Sequence, residues 1–207
     1  MRIIAGARKG RVLAAPAGTA TRPTADRVRQ ALFDMLLHAP WGGPRLLENA
    51  HVLDAFAGTG ALALEALSRG AAFATFFETD RAALSALRTN IASCRWQDRC
   101  TVVPRDVTKP PRAKHACSLL FLDPPYKQGL PARSLAALAD QGWVAQGAIA
   151  VIETAAQEDL PLRDNTAPLP VTEPTQQDET AVQPPAYSGT LLAERKHGAA
   201  RLSVWQL

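Results

Sequence analysis

Four apolar runs in this chain lack the alternation of polar and apolar residues expected of a strand with one face in water. They lie at residues 52–56, 73–78, 117–122 and 148–153. Segments with helical periodicity separate them, such as 61–69 and 130–139. Strands that are apolar on both faces and alternate with helices indicate a parallel sheet covered on both sides. The chain is therefore predicted to be an α/β protein with right-handed crossovers.

Other elements flank this alternating region. A glycine-flanked turn at 6–10 predicts a hairpin over residues 3–13. Thr24 is predicted to cap a helix, whose apolar stripe is Val28, Ala31, Leu32, Met35 and Leu36. Strand signals at 190–192 and 202–205 predict a terminal hairpin. We expect residues 1–44 to form an N-terminal unit and residues 45–207 the main domain.

Residues 164–187 interrupt the alternation. They contain five prolines, four acidic residues and no Lys or Arg, and few of their apolar side chains are large. This composition predicts an irregular, acidic, mobile insertion rather than a domain.

Composition narrows the functional classes. The chain has 207 residues, of which 47% are hydrophobic and 20% charged, as in ordinary globular proteins. Its three cysteines form no C-x-x-C pair, and its histidines show no ligand spacing, so we expect neither a disulfide framework nor a metal site. No apolar run approaches the ~20 residues of a membrane helix, and charges interrupt the N-terminus before a signal peptide can form. A cytoplasmic protein without a membrane partner is expected.

Positive charge is concentrated near the N-terminus. Residues 1–33 carry seven basic side chains and one acidic side chain, whereas the other 174 residues carry 16 basic and 18 acidic ones. A basic segment beside a nearly neutral body suits a phosphate backbone, although a solvated basic hairpin is an equally good reading of charge alone. The candidate RNA-binding residues are Arg8, Lys9, Arg11, Arg22 and Arg27.

The first strand of the alternating region runs into a glycine turn. Asp54, Phe56, Gly58 and Gly60 form a D-x-F-x-G-x-G pattern, and a helix follows directly. Glycines let the backbone approach a ligand closely. Residues 58–63 also satisfy the dinucleotide pattern G-x-G-x-x-A, which is weak evidence alone. Asp54 at the strand end favours S-adenosylmethionine, since this donor carries a sulfonium and an amine but no phosphate.

Two further carboxylates follow strands of the predicted sheet. Glu78 ends the second strand, 20 residues after Gly58, where a carboxylate can accept both ribose hydroxyls. Capping the next helix is the alternative role for Glu78. Asp106 follows the third strand, where it can accept from an adenine amine or act as a turn residue. The predicted donor site consists of Asp54, Phe56, Gly58, Gly60, Glu78 and Asp106.

The run at 117–122 is followed by Asp-Pro-Pro-Tyr at residues 123–126. An exocyclic base amine is a poor nucleophile because its lone pair is delocalised into the ring. The Asp123 carboxylate and the carbonyl of Pro124, which the prolines hold rigid, can accept its two N–H groups and localise that lone pair. Tyr126 offers a face for base stacking. Asp123, Pro124 and Tyr126 are therefore the predicted catalytic residues.

Several blocks together resemble the bacterial 16S ribosomal RNA guanine-N2 methyltransferases. The blocks are residues 2–6, 9–11, 22–33, 60–62, 65–71 and 123–126, and the likeness covers 1–153 and, more loosely, 190–207. The resemblance implies a Rossmann-like methyltransferase fold, with a mostly parallel seven-stranded sheet and a terminal antiparallel strand. It implies S-adenosyl-L-methionine as cofactor and 16S ribosomal RNA in the assembling small subunit as substrate. A monomer is expected. The departures are the 164–187 insertion and His197, where the family more often has an aromatic residue before the glycine.

Three other functions remain as alternatives. DNA adenine-N6 methyltransferases also use an Asp-Pro-Pro-Tyr motif, but residues 50–160 leave no room for their separate base-recognition region. A non-catalytic RNA-binding assembly factor would not need the intact Asp123 and glycine turn. A nicotinamide oxidoreductase is the third.

Overall fold

The fold was derived from a computed structural model, which describes residues 1–16, 23–125, 129–166 and 187–207. Arg22, Tyr126 and residues 167–186 of the acidic insertion lie outside the described residues. The helices are α1 (Pro23–His38), α2 (Ala61–Ser68), α3 (Arg81–Cys94) and α4 (Leu130–Asp140). The strands are β1 (His51–Asp54), β2 (Phe73–Phe77), β3 (Cys100–Val103), β4 (Cys117–Leu122), β5 (Val144–Ala155), β6 (Arg163–Asp164), β7 (Ser188–His197) and β8 (Ala200–Gln206).

The strands form one sheet in the order β3-β2-β1-β4-β5-β8-β7-β6. Strands β1 to β5 are mutually parallel, and β8 runs antiparallel to β5. This confirms the predicted Rossmann-like α/β fold and its antiparallel terminal strand. The described part of the chain has eight strands instead of seven, because the two-residue β6 adds to the edge beside β7.

Both faces of the central strands are buried, which explains their lack of polar alternation. Val52 and Phe76 face one apolar cluster, together with residues of α1, α2 and α3. Leu53 and Phe77, their neighbours in sequence, face a second cluster that includes Leu135 of α4. Successive strand residues point to opposite faces, so a strand covered on both sides must be apolar throughout.

Helix α1 packs into the same cluster as the sheet. Leu32, Phe33 and Leu36 are buried there, so the segments on either side of the predicted boundary at residue 44 share one core. The predicted Thr24 cap is wrong, since the helix already begins at Pro23. Proline suits the first position of a helix because its missing N–H would have no partner there.

The predicted N-terminal hairpin is confirmed. The N–H of Ile3 donates to the carbonyl of Arg11 at 2.9 Å, and that of Gly10 donates to Ile3 at 2.8 Å. Gly6 adopts a φ of +78°, and a Cβ there would lie 1.8 Å from the carbonyl oxygen of Ser68. The turn of the hairpin is therefore pressed against the C-terminal end of α2. No helix among the described residues is long and apolar enough to cross a membrane.

Candidate active site

A cavity of about 810 Å³ lies at the carboxyl edge of the sheet, where β1, β4 and β5 end. Its lining includes Asp54 and Gly58 after β1, Asp123 after β4 and Glu153 near the end of β5. Ligands gather at this edge in open parallel sheets, and the volume is within the usual range for small-molecule sites. The structure thus brings the first glycine of the turn and Asp123 of the Asp-Pro-Pro motif to one cavity.

Asp54 is the buried acid of this cavity. Its side chain is only 2% exposed, and Oδ2 accepts a long hydrogen bond of 3.4 Å from the N–H of Ala63. Burial raises the pKa of Asp54 to about 7; the charges of Asp123 and Glu78 add to this rise, and the Ala63 N–H opposes it. A carboxylate that is hard to ionise alone gains most from a cation placed beside it.

The two glycines of the turn have different structural tasks. Gly58 has a φ of +52°, lines the cavity, and has open space where a Cβ would be. Gly60 has a φ of +80°, but a Cβ there would lie 2.4 Å from Cδ1 of Leu87 and 3.2 Å from the ring of Phe76. Gly58 therefore faces the ligand space, whereas Gly60 allows α2 to pack closely against α3 and β2.

Glu78 shapes the turn from the neighbouring strand. Its Oε2 accepts from the N–H of Gly58 at 2.7 Å, and its Oε1 accepts from Thr79 and Asp80 at 2.7 and 2.8 Å. The cap of α3 is Asp80, whose side chain accepts from Ala83. Glu78 is not among the residues that line the described cavity, so its role toward a ribose remains a prediction.

Asp106 is exposed and forms a turn. Its Oδ1 accepts from the N–H and the hydroxyl of Thr108, both at 2.8 Å, and these bonds hold its pKa below the usual value. It does not line the described cavity. The turn role is visible in the structure, and the role toward adenine remains a prediction.

Asp123 and Pro124 come directly after β4. Asp123 keeps an exposed face on the cavity while protein surrounds the rest of its side chain. This partial removal of water raises its pKa to about 7, and the charge of Glu153 adds to the rise. Pro124 is buried. Tyr126, the third predicted catalytic residue, lies outside the described residues.

Glu153 was missed by the sequence analysis. In the β4–β5 pairing, Leu122 lies opposite Ile152, so Asp123 and Glu153 are the next residues on adjacent strands. A signal existed, since Glu153 ends an apolar run as Glu78 does. The carboxyl edge therefore carries three neighbouring strand-end acids on β1, β4 and β5.

Glu65 of α2 holds the N-terminal hairpin in place beside the glycine turn. This fully buried carboxylate accepts from the N–H groups of Ile4 at 2.7 Å and Ala5 at 3.0 Å, and from Nε of Arg69 at 2.7 Å. Arg29 of α1, 5% exposed, lies 3.9 Å from the same carboxylate and lines the cavity. These contacts fix the hairpin and α1 to α2.

A second clamp joins the N-terminal segment to the glycine turn. Asn90 of α3 is buried and exchanges two hydrogen bonds with the backbone of Ala14. Its Nδ2 also donates to the carbonyl of Thr59 at 2.9 Å. Met1 lies at the cavity wall, where its sulfur is 3.9 Å from the hydroxyl oxygen of Thr59.

The predicted RNA-binding residues are not in one place. Nε of Arg8 donates to the carbonyl of Cys94, and its guanidinium lies 5.8 Å from the ring of Trp96. Lys9 and Arg11 are exposed on the same hairpin. This end of the hairpin lies beside the C-terminal ends of α2 and α3, about 12 Å along α2 from the cavity. Arg27, by contrast, is exposed on α1 next to Val28 of the cavity wall.

The opposite wall comes from the tip of the β7–β8 hairpin. His197 and Gly198 line the cavity, together with Ala200 and Leu202 of β8. Sequence reasoning found the hairpin but gave its tip no function. Only the three-dimensional fold shows that a strand pair from the far end of the chain reaches the site.

Comparison with known proteins places the chain among methyltransferases. The family model described as conserved hypothetical protein 95 matches residues 1–177. The chain is 38% identical over 161 residues to ribosomal RNA small subunit methyltransferase D of Escherichia coli strain K12, a match that covers 78% of each chain. It is 33% identical over 166 residues to the protein of the same name in Haemophilus influenzae, covering 78% of this chain and 81% of that one.

Solved structures give the same picture. A proposed methyltransferase of Escherichia coli, yhhF, superposes with a TM-score of 0.74 at 32% identity and covers 100% of this chain and 97% of that one. A hypothetical protein of Thermus thermophilus superposes with a TM-score of 0.68 at 25% identity, covering 100% and 99%.

Proposed function

The chain belongs to the family described as conserved hypothetical protein 95, and from this premise we propose that it transfers a methyl group from S-adenosyl-L-methionine to the exocyclic N2 amine of a guanine in 16S ribosomal RNA. Methylation of ribosomal RNA is the part supported by the names of the relatives. The guanine amine is supported by the Asp-Pro-Pro motif and the N-terminal blocks of the sequence.

One observation carries the proposal. Asp54, Gly58 and Asp123 line a single cavity at the carboxyl edge of the sheet. The candidate donor turn and one candidate acceptor for an amine, the Asp123 carboxylate, therefore border the same space, and Pro124 follows Asp123 directly in the chain.

The cavity suits S-adenosylmethionine chemically. Asp54 is buried at its wall with one long hydrogen bond and a raised pKa, so a positive group beside it would relieve an unfavourable burial. Gly58 leaves open space for close approach of a ligand. Asp54, Phe56 and Gly58 would hold the donor, which supplies an electrophilic methyl group when bound.

The remaining chemistry belongs to Asp123 and Pro124. The Asp123 carboxylate accepts one N–H of the guanine amine, and the Pro124 carbonyl accepts the other. The nitrogen lone pair then leaves conjugation with the ring and would form the new N–C bond as the bond between the methyl carbon and the donor sulfur breaks, with its electron pair staying on sulfur. The nitrogen carries a surplus proton after that bond has formed, and an Asp123 with a pKa of about 7 is suited to accept it.

The proposal also covers the RNA partner, the oligomeric state and the cellular location of the enzyme. We place it in the cytoplasm, as a monomer acting on 16S ribosomal RNA of the assembling small subunit. The excess of basic over acidic side chains in residues 1–33 supports a polyanionic substrate.

The test is nucleoside mass analysis of ribosomal RNA from cells with and without the gene. We expect one N2-methylguanosine of the 16S RNA to disappear in its absence and to return when the wild-type gene, but not Asp123→Ala, is supplied. An unchanged N2-methylguanosine content, or loss of a different methylated nucleoside, would refute the proposed target.

A further inference from the structure

A groove of about 640 Å³ runs between α1 and the β7–β8 hairpin, next to the cavity. The two share four lining residues, namely Val28, Leu32, His197 and Leu202. The cavity and the groove are therefore continuous, and a ligand too long for the cavity extends into the groove along the protein surface.

The floor of the groove is apolar and includes an aromatic ring. It is formed by Ala31 and Met35 of α1, by Trp41 in the following loop, and by Leu192 and Ala193 of β7. Ala31 is exposed, and Met35 and Trp41 are half-buried. The predicted apolar stripe of α1 thus continues past the core and into open space. An apolar, aromatic floor suits the flat face of a nucleobase.

The rim of the groove is basic. Its titratable lining residues are His38, Arg195 and His197, and no acidic side chain lines it among the described residues. Glu194, next in sequence to Arg195, is paired with Arg201 at 3.1 Å. The charge of the rim is complementary to a phosphate backbone.

From this arrangement we propose that the groove binds an unpaired nucleotide adjacent to the target guanine in RNA. Its base stacks on the floor around Trp41, and its phosphates lie against Arg195. The inference rests on the proposed function, because a neighbour of the target nucleotide must lie next to the cavity. The groove would contact RNA close to the methylated base, whereas the exposed Lys9 and Arg11 lie beside the C-terminal end of α2.

The first test uses Ala31, whose exposed side chain can be changed without opening the core. Ala31→Glu places a negative charge on the floor. The matched control, Ala116→Glu, places the same charge in the loop before β4, at the opposite edge of the sheet. The substrate is 16S RNA, free or in small subunits, from cells that lack the gene. We expect Ala31→Glu to raise the KM for RNA about tenfold or more, since its carboxylate interferes with base stacking and repels the phosphates. The KM for S-adenosylmethionine should not change.

The second test measures base stacking through tryptophan fluorescence. Trp41 is the half-buried member of the four tryptophans, and Trp96, Trp143 and Trp205 are buried. An oligouridylate RNA should quench the tryptophan fluorescence of wild type, and Trp41→Phe should lose this quenching while still binding the RNA. Arg195→Gln should weaken oligouridylate binding without changing the melting temperature.

Several results would overturn the inference while leaving the proposed function intact. One is normal methylation with an unchanged KM for RNA in both Ala31→Glu and Arg195→Gln. Another is a defect of these variants in cells that vanishes with purified RNA, which would mean that the groove docks a protein. A third is an oligouridylate that binds wild type without quenching Trp41 and quenches it only after removal of residues 167–186, which would assign the groove to that acidic segment. If wild type itself methylates no ribosomal RNA, the proposed function fails first.

Discussion

Oε2 of Glu78 accepts a hydrogen bond from the backbone N–H of Gly58 at 2.7 Å, which joins the end of β2 to the glycine turn after β1. Both residues were predicted to bind the donor, and the structure shows them binding each other. Oε1 of Glu78 already accepts two further N–H groups. A carboxylate offers about four lone-pair positions, so one remains near Gly58 for a ligand hydroxyl while this arrangement holds.

The first prediction follows from that bond. Glu78→Ala should weaken binding of S-adenosylmethionine about 10- to 100-fold, because it removes a charge-assisted hydrogen bond to the turn and any contact with the ribose. Isothermal titration calorimetry measures the change. Asp98→Ala, which removes an exposed carboxylate before β3, at the edge of the sheet opposite the turn, serves as a control. Donor affinity equal to wild type in a folded Glu78→Ala protein would show that neither the turn nor the ribose depends on Glu78.

The second prediction separates the two glycines. Gly58→Val should abolish donor binding with the fold kept, since its side chain enters open cavity space, although the left-handed φ costs about 1 to 2 kcal/mol. Gly60→Ala should chiefly lower stability, because its Cβ meets Leu87 and Phe76. Thermal unfolding and calorimetry on both variants distinguish these effects. The assignment of the turn would be refuted if Gly58→Val bound the donor normally.

The third prediction concerns pH and the buried Asp54. Its pKa is raised to about 7 in the folded protein, against about 3.9 in an unfolded chain, so the folded state holds the proton more tightly. Its contribution to stability is therefore fully present below about pH 4 and is lost as the pH rises through 7. The free energy of unfolding should fall between pH 5 and 8, and Asp54→Asn should reduce that fall. Urea unfolding at both pH values provides the measurement.

The pKa of Asp123 is also raised, so Asp54→Asn should remove only part of the pH dependence of the free energy of unfolding. If wild type and Asp54→Asn lost stability in parallel between pH 5 and 8, Asp54 would have to be ionised already at pH 5.

The fourth prediction concerns the chemical step. Asp123→Ala should lower the methylation rate about 100-fold or more and leave donor affinity within a few fold, as loss of a transition-state acceptor does. Near-normal turnover would show that the amine is held elsewhere.

Glu153 provides a finer test of the same step. Its charge helps to raise the pKa of Asp123, so Glu153→Gln should move the midpoint of the pH–rate profile to lower pH. Single-turnover rates between pH 5 and 9 measure this midpoint. A midpoint that stays in place would mean that desolvation alone sets the pKa of Asp123, or that another group controls the rate.

The sequence sufficed for features that depend on local pattern. Cys117–Leu122 was predicted to the residue because a strand buried on both faces must be apolar throughout. The hairpin over residues 3–13 was predicted because a glycine-flanked turn is a local signal. Asp54 and Asp123 were found because strand ends of a parallel sheet meet at one edge.

What failed depends on contacts distant in sequence. Glu65 is fully buried and holds the N-terminal hairpin through Ile4, which lies 61 residues earlier in the chain. His197 reaches the cavity only because β8 pairs with β5 and β7 folds back on β8. Arg8 was counted as a free charge, although its guanidinium is bound to the end of α3. Charge and periodicity carry no information about such partners.

The last prediction concerns the N-terminal hairpin. Because the guanidinium of Arg8 already donates to Cys94, replacing Arg8 should lower stability as well as RNA affinity. Lys9 and Arg11 are exposed and can be neutralised without that cost. Each phosphate contact contributes about 0.7 to 0.9 to the log–log salt slope, so Lys9→Gln with Arg11→Gln should flatten the slope of RNA binding by about 1.4 to 1.8.

The matched control is Arg112→Gln with Lys114→Gln, two exposed basic residues that precede β4 at the edge opposite the cavity. This pair should leave the slope unchanged. RNA affinity measured at several salt concentrations for wild type and both double variants gives the comparison. Donor affinity should stay constant in all three, since the exposed end of the hairpin lies about 12 Å along α2 from the cavity. Equal slopes in wild type and the Lys9 and Arg11 variant would mean that these two side chains remain solvated, and would assign the electrostatic attraction to α1 and the β7–β8 tip.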